Sequence, residues 1–388
     1  MVLACENYHM QEFNTVIFGA GIAGASLAWR LAESQTVALV ERETQPGYHA
    51  TGRSAAMFME SYGPAQVRAL TRASRGFYTE PPAGFCDVPL LHPRGALYVA
   101  TPGQEAAMDA LRAELAPGCP GLAVLGPAEV LKLVPCLRPE LVHGALLDPG
   151  AQDLDVHAIH QGFLRGFRRK AGAEPGAVRT AATLVEARHD GARWTLRFAD
   201  GQTLLANTLV NAAGAWADEL AVLCGARPIG IVPRRRSAFT FKPPEGIDAS
   251  RWPAVVGVDE SYYFKPDAGQ LLGSPANADD TVPHDVVPEE LDIALGIHHI
   301  ENVSTLSIRR PTSTWAGLRS FVADGEMVIG ADADCPGFFW LAGQGGYGIQ
   351  SAAGASALAD ALLRGVPLPE ILLREGVDPA ALSPGRLR

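Results

Sequence analysis

At 388 residues the chain is longer than one hydrophobic core usually reaches, which predicts about two domains. An apolar fraction of 47% against 19% charged residues excludes a disordered chain. A net charge of −10, with Arg234-Arg235-Arg236 as its one dense basic run, speaks against nucleic acid as a partner.

The cysteines (Cys5, Cys86, Cys119, Cys136, Cys224 and Cys335) stand apart with no C-x-x-C pair, the pattern of reduced thiols in a cytoplasmic protein. The first residues show neither a basic n-region nor an apolar h-region. Val2-Leu3-Ala4-Cys5 is similar to a lipoprotein cleavage site, but nothing before it could insert, so no leader is expected. The longest uncharged apolar stretch, Thr15 to Trp29, is too short to span a bilayer, and no integral membrane segment is expected.

In chain order, Thr15-Val16-Ile17-Phe18 reads as a strand that runs into Gly19-x-Gly21-x-x-Gly24 and then a helix with Leu27, Ala28 and Leu31 inward. Gly19 permits the tight turn, Gly21 lets backbone approach a pyrophosphate, and Gly24 lets helix and strand touch. The helix start offers free N–H groups and the positive end of its dipole. Thr36 to Val40 is a buried strand ending at Glu41, about 20 residues past the first glycine, where a ribose-binding acid belongs. The arrangement predicts a bound dinucleotide.

Gln45 to Ala56 follows, irregular and rich in small residues, a segment type more often functional than decorative. Pro64 opens a helix to about Tyr78, with Val67, Leu70, Ser74 and Phe77 on one face. Pro93-Arg94-Gly95 is a turn and Ala96 to Ala100 a strand. Helices are predicted at Gln104–Leu115, Pro127–Val134 and Asp155–Lys170, the last with Ile159, Phe163 and Phe167 inward. His157 and His160 share that helix without a metal-binding signature, and no metal is assigned. Asp190-Gly191 and Asp200-Gly201 punctuate a meander from Thr183 to Ala212. The meander ends in Ala213-Gly214-Ala215-Trp216, a second close approach to a nucleotide. Arg236–Phe241 and Tyr262–Lys265 read as strands of another sheet, and Pro288 to Ile300 as a helix. Phe338–Ala342 is a buried strand, Gly343 to Gly348 a glycine loop, and Ile349–Leu363 an amphipathic helix. The expected fold is α/β: a discontinuous Rossmann-like domain with a β-meander insert (14–93, 150–228 and 319–388), and an α+β substrate domain on an antiparallel sheet (94–149 and 229–318).

These features resemble the FAD-dependent oxidoreductases of the D-amino acid oxidase family, and within it the bacterial D-arginine dehydrogenases. The resemblance rests on Val16–Glu41, Pro46–Ala56, Pro81–Cys86, Val210–Trp216, Arg235–Phe239, Leu272–Asp279, Trp315–Gly325 and Gln344–Gln350. It implies FAD contacted by Gly19, Gly21, Ala23 and Gly24 at the pyrophosphate and by Glu41 at the ribose. Arg42 would lie beside the adenine, the Val185 backbone at its edge, and Gly214 close by. Ala50, Thr51, Gly52, Ser54, Ala55, Ala56 and Met57 would wrap the flavin. Gln344, Gly345, Gly346, Tyr347, Gly348 and Ile349 would bring a helix N-terminus to its pyrimidine end, where reduced flavin carries negative charge. Some relatives bond the flavin through a cysteine near Gly317-Leu318-Arg319. None stands there, so the FAD is expected to be non-covalent.

An amino acid's carboxylate calls for guanidinium, which is always charged and binds it with two parallel hydrogen bonds. The resemblance implies Arg236 and Arg319 in that role, with Tyr263 and Gly346 assisting and Tyr62 as a lid. The implied reaction is oxidation of a D-amino acid to the imino acid by hydride transfer from Cα to flavin N5. Orientation is the protein's part, with no obligate side-chain base. D-arginine dehydrogenases place a glutamate where this chain has Ala96 and a histidine where it has Met57. With Met59 nearby, neutral and largely apolar side chains are favoured over D-arginine, since a buried guanidinium without its acid costs several kcal/mol. Glu60 or Asp87 would restore a basic preference if either faced the substrate. N-alkyl or cyclic amino acids would use the same clamp, and a flavin-binding module of an RNA-modifying assembly is the alternative from another class. The electron acceptor is left open among oxygen, a quinone and an electron-transfer protein.

Overall fold

The computed structural model describes residues 10–119, 121–170 and 177–388, so Val2-Leu3-Ala4-Cys5 lies outside the described residues. The first strand, Gln11–Phe18, lies between Val37–Val40 and Thr203–Asn211 and is parallel to both. Its last three residues alternate: Val16 and Phe18 face one core, Ile17 the other, as a two-residue period requires. Thr203–Asn211 has a double life. Its first half closes the meander antiparallel to Trp194–Phe198, and its second half is a central parallel strand beside Phe338–Ala342. That division lets a meander be inserted without breaking the parallel layer. Helices Ile22–Leu31, Ala65–Thr79, Val156–Lys170 and Gly348–Arg364 pack on the Ile17 face. Ile159, Phe163 and Phe167 are fully buried there, as their spacing predicts.

The second sheet runs in the order Asp279–Asp280, Val232–Phe241, Gln270–Ser274, Tyr263–Asp267, Ala254–Gly257, Ala96–Ala100, Gly144–Asp148 and Ala123–Leu125, with Ser313–Phe321 on the other edge of Val232–Phe241. It is not wholly antiparallel: Ala254–Gly257 and Ala96–Ala100 are parallel. The long excursion between them supplies the crossover that parallel pairing needs. The expected division at 318/319 also falls inside a strand. Ser313–Phe321 pairs along its length with Val232–Thr240, which holds residues 319–321 in the second sheet. One face of this sheet buries Phe239, Phe241, Val255, Phe264 and Leu271 with Ile300 of helix Glu290–Val303. The opposite face carries Arg236, Ala238, Ala254, Val256, Tyr263, Lys265, Gly317 and Arg319, and all of these line one cavity.

No helix among the described residues is long and apolar enough to cross a membrane.

Candidate functional site

A cavity of about 540 Å³ runs from the glycine turn of the first sheet to the Arg236 face of the second. At its start Gly19 adopts a left-handed φ of +100°, and a Cβ there would lie 2.3 Å from the Ala212 carbonyl oxygen. Gly24 has even less room: a Cβ would stand 1.9 Å from the Gly19 oxygen, so helix and turn touch through backbone. Gly21 meets only the Thr51 hydroxyl, at 3.1 Å, and otherwise opens into the cavity. Glu41 stands at the end of its strand with Oε2 accepting from Ala20 N (2.9 Å) and Oε1 from Glu43 N (2.9 Å). His160 joins the outside of the turn through Nε2 and the Ala20 oxygen at 2.8 Å, and burial, the larger effect, pushes it below the usual histidine range. Its role is packing behind the glycines.

Further along, Arg42 lies over the Trp216 ring (4.6 Å), and His49 contacts the same ring at 4.5 Å. Gly214 and Trp216 face Ala182, Thr183 and Leu184 across the cavity. Val185 sits outside this wall: a bulge between Leu184 and Glu186 turns it outward, 42% exposed.

The segment expected to wrap a cofactor does line the cavity from Ala50 to Met57, apart from Gly52, whose amide turns back to the Gly47 oxygen. Thr51 Oγ1 accepts from Ile22 N (3.0 Å), and Arg53 holds the carbonyls of Val286 (2.8 Å) and Ala316 (3.2 Å) while paired with Asp285. Two sheets are thereby tied to one loop. At the far end Gln344, Gly345, Gly346, Gly348 and Ile349 line the cavity where helix Gly348–Arg364 begins, with its first amides free of intrahelical partners. Tyr347 lies behind this loop, edge-on to Tyr62 at 5.0 Å.

Both arginines reach the cavity beside the glycine loop. Arg319 donates from Nη1 to the Tyr62 hydroxyl (3.1 Å), and Gly346 has no room for a Cβ because the Arg319 guanidinium carbon would be 2.7 Å from it. Arg236 is pushed below the ordinary guanidinium range by burial first and by the Arg319 charge second. Among the described residues neither is in an ion pair. By contrast Arg235, on the other side of the strand, is bound by Asp292, Glu289 and Asp279, and Arg234 by Asp280. Two half-buried cations without a counterion form a site for an anion.

Tyr62, Tyr263, Met57 and Met59 line the same space; Ala96 lies behind it, fully buried beside Tyr98. Neither acid considered from the sequence enters. Glu60 pairs with Arg75 at 2.6 Å, and Asp87 is exposed away from the cavity. Three residues that sequence reasoning passed over do line it. Tyr98 is held through Ser61, which donates to the buried Asp148 at 2.7 Å. Lys265 is 2% exposed and paired with Asp153 at 2.8 Å. Glu260 sits in a left-handed turn, φ +55°, its amide donating to the Gly257 carbonyl (2.8 Å) and its carboxylate without a hydrogen bond among the described residues. Only its neighbourhood after folding marks it, since Asp259-Glu260-Ser261 reads as an ordinary loop.

The glycine turn, the acid after the second strand and the glycine-led helix define a dinucleotide-binding fold whose cavity extends to Arg236 and Arg319. The chain belongs to the family described as FAD dependent oxidoreductase, which it matches over residues 14–361. It is 25% identical over 393 aligned residues to the human mitochondrial dimethylglycine dehydrogenase, covering 94% of this chain and 44% of that protein. The chain therefore spans less than half the length of that relative. Among solved structures, a glycine oxidase from Geobacillus kaustophilus superposes with a TM-score of 0.80 at 22% identity, over 96% of this chain and 98% of that one. An L-α-glycerophosphate oxidase from Mycoplasma pneumoniae with FAD bound gives 0.81 at 18% identity, over 92% and 95%. The cradle fits that cofactor: the missing Cβ atoms leave backbone exposed for a pyrophosphate, and the cavity continues unbroken to a helix N-terminus.

Proposed function

We propose that the protein oxidises free amino acids at Cα, with D-amino acids of neutral, largely apolar side chain favoured. The observation that carries this reading is the pair Arg236 and Arg319, unpaired with any carboxylate among the described residues and open to the cofactor cavity. Bound FAD supplies the two-electron acceptor for the Cα hydride. The chain's own residues do the rest. Arg236 and Arg319 take the substrate carboxylate, with Tyr62 and Tyr263 at its sides. Two nearby cations also disfavour a protonated substrate amine, so the neutral amine needed for oxidation is favoured without a dedicated base. Met57, Met59, Ala254 and Val256 present an apolar wall to the side chain, about 0.8 kcal/mol per buried CH₂. Similarity to proteins named for glycine and dimethylglycine supports a substrate of the amino-acid class. D-chirality is supported by the sequence resemblance alone.

A second reading has its own observation. The unengaged Glu260 carboxylate stands in the cavity, where it would meet the cationic tail of D-lysine or D-arginine. One panel separates these readings: anaerobic bleaching of the flavin's visible absorbance by D- and L-amino acids and N-methylglycines, followed by admission of air. D-Met, D-Leu and D-Phe are expected to bleach fastest. Faster D-Arg or D-Lys transfers the assignment to the Glu260 reading, and faster L- or N-methyl substrates refute the D-amino acid assignment. Prompt recolouring in air identifies oxygen as an acceptor.

No cysteine among the described residues lines the cavity, and Cys335 is buried against the Cys224 carbonyl. Acid precipitation is therefore expected to leave all of the FAD in the supernatant. Yellow colour retained in the washed pellet would show a covalent link.

A further inference from the structure

We propose that Asn277, held by the buried carboxylate of Asp292, is a positioning residue that aims Arg236 at the substrate carboxylate. The inference rests on Arg236 being a carboxylate ligand. On one edge, strand Val232–Phe241 pairs with Gln270–Ser274 through Phe239 to Phe241, and with Asp279–Asp280 through Arg234 and Arg235. Between those two runs, beside Arg236 and Ser237, residues 275–278 leave the ladder. Side chains close the gap. Asn277 Oδ1 accepts from Ser237 N (2.9 Å), and Ser274 Oγ donates to the Ser237 carbonyl (2.6 Å). The left-handed Ala276, φ +51°, turns the segment, and the Asn277 carbonyl accepts from Arg236 Nε.

A guanidinium whose Nε–H is committed keeps its two terminal nitrogens as the free fork, the edge that grips a carboxylate. Asn277 is fixed from behind: its Nδ2 donates to Asp292 Oδ2 (3.0 Å) and Asp279 Oδ2 (2.6 Å). Asp292, 6% exposed, also accepts from Ser237 Oγ (2.7 Å) and Arg235 Nε (2.9 Å). One carboxylate thus restrains Arg235 outside the cavity and, through Asn277, orients Arg236 inside it. Removing the Asn277 side chain leaves its carbonyl in the chain but frees it from both anchors.

The test titrates the holoenzyme with benzoate and with benzamide, its neutral counterpart, following the perturbation of the flavin spectrum. Wild type is expected to bind benzoate much more tightly. Failure to discriminate there would overturn the carboxylate reading itself, and this inference with it, before any variant is compared. Given discrimination, Asn277→Ala and Asp292→Asn are expected to weaken benzoate about tenfold, the scale of one hydrogen bond to a charged group, while benzamide binding and FAD content stay at wild-type values. Glu289→Gln, which cuts an Arg235 partner that does not touch Asn277, is expected to leave benzoate binding unchanged. Benzoate affinity within twofold of wild type in both network variants overturns the proposal. So does an equal loss of benzoate and benzamide, or the same loss in Glu289→Gln.

Discussion

Arg319→Ala is expected to lower kcat/KM for the preferred amino acid by about two to three decades, with FAD still bound. The guanidinium lies where the second sheet, the Tyr62 segment and the glycine loop meet. Removing one partner of a buried charge pair costs roughly 3–5 kcal/mol, and each decade of rate is about 1.4 kcal/mol. Part of the loss is direct, through half of the carboxylate clamp. Another part is indirect: the Tyr62 hydroxyl loses its Nη1 donor, and a void opens against Gly346, where no side chain can fill it. Arg319→Lys restores charge but not the flat fork that packs on the Gly346 backbone, so it should recover only a fraction of the loss. Stopped-flow flavin reduction at saturating and sub-saturating substrate separates binding from orientation. Activity within tenfold of wild type in the alanine variant would remove Arg319 from the carboxylate site.

Much of this chamber was legible in the chain, and the rest was not, for physical reasons. Local periodicity carries elements whose residues choose their own conformation, such as the Gly19–Gly24 turn, the inward face of Ile159, Phe163 and Phe167, and the Asp-Gly turns of the meander. Alternation carries further: Arg236 and Ala238 share a face opposite Phe239 and Phe241, which separates Arg236 from Arg235 despite their adjacency. What the pattern cannot carry is pairing between distant segments. The parallel contact of Ala96–Ala100 with Ala254–Gly257, and the continuation of the Arg319 strand to Phe321, depend on register with partners far away in sequence. Glu260 and Lys265 belong to the same class: each enters the cavity only because hairpin and sheet place it there. Val185 shows the finest limit. A one-residue bulge puts Leu184 rather than Val185 at the cavity wall.

Gly24→Ala and Gly21→Ala are expected to fail in different ways, although both alter the same six-residue motif. At Gly24 the new Cβ would lie 1.9 Å from the Gly19 oxygen and 3.2 Å from Ile17 Cγ2. Neither can yield cheaply: the first is backbone in a left-handed turn already closed against Ala212, and the second is a fully buried side chain. Helix Ile22–Leu31 must back away from its strand, which also strains its packing with Val156–Lys170 and Gly348–Arg364. Overpacking typically costs about 1–3 kcal/mol and more where the surroundings are rigid, so about 3 kcal/mol or more of stability should disappear with or without FAD. At Gly21 the added atom meets only the Thr51 hydroxyl at 3.1 Å, which can shift. The fold should survive with a stability change below about 1 kcal/mol, while the methyl intrudes on the space that a pyrophosphate would occupy. FAD affinity is then expected to fall by about two decades or more, a loss of roughly 2.7 kcal/mol. Thermal melts of the FAD-stripped and reconstituted proteins, set beside FAD titrations, distinguish the two. Equal melting losses in the stripped forms would show that Gly21 is also a packing residue and that the turn does not present its backbone to the cofactor as described.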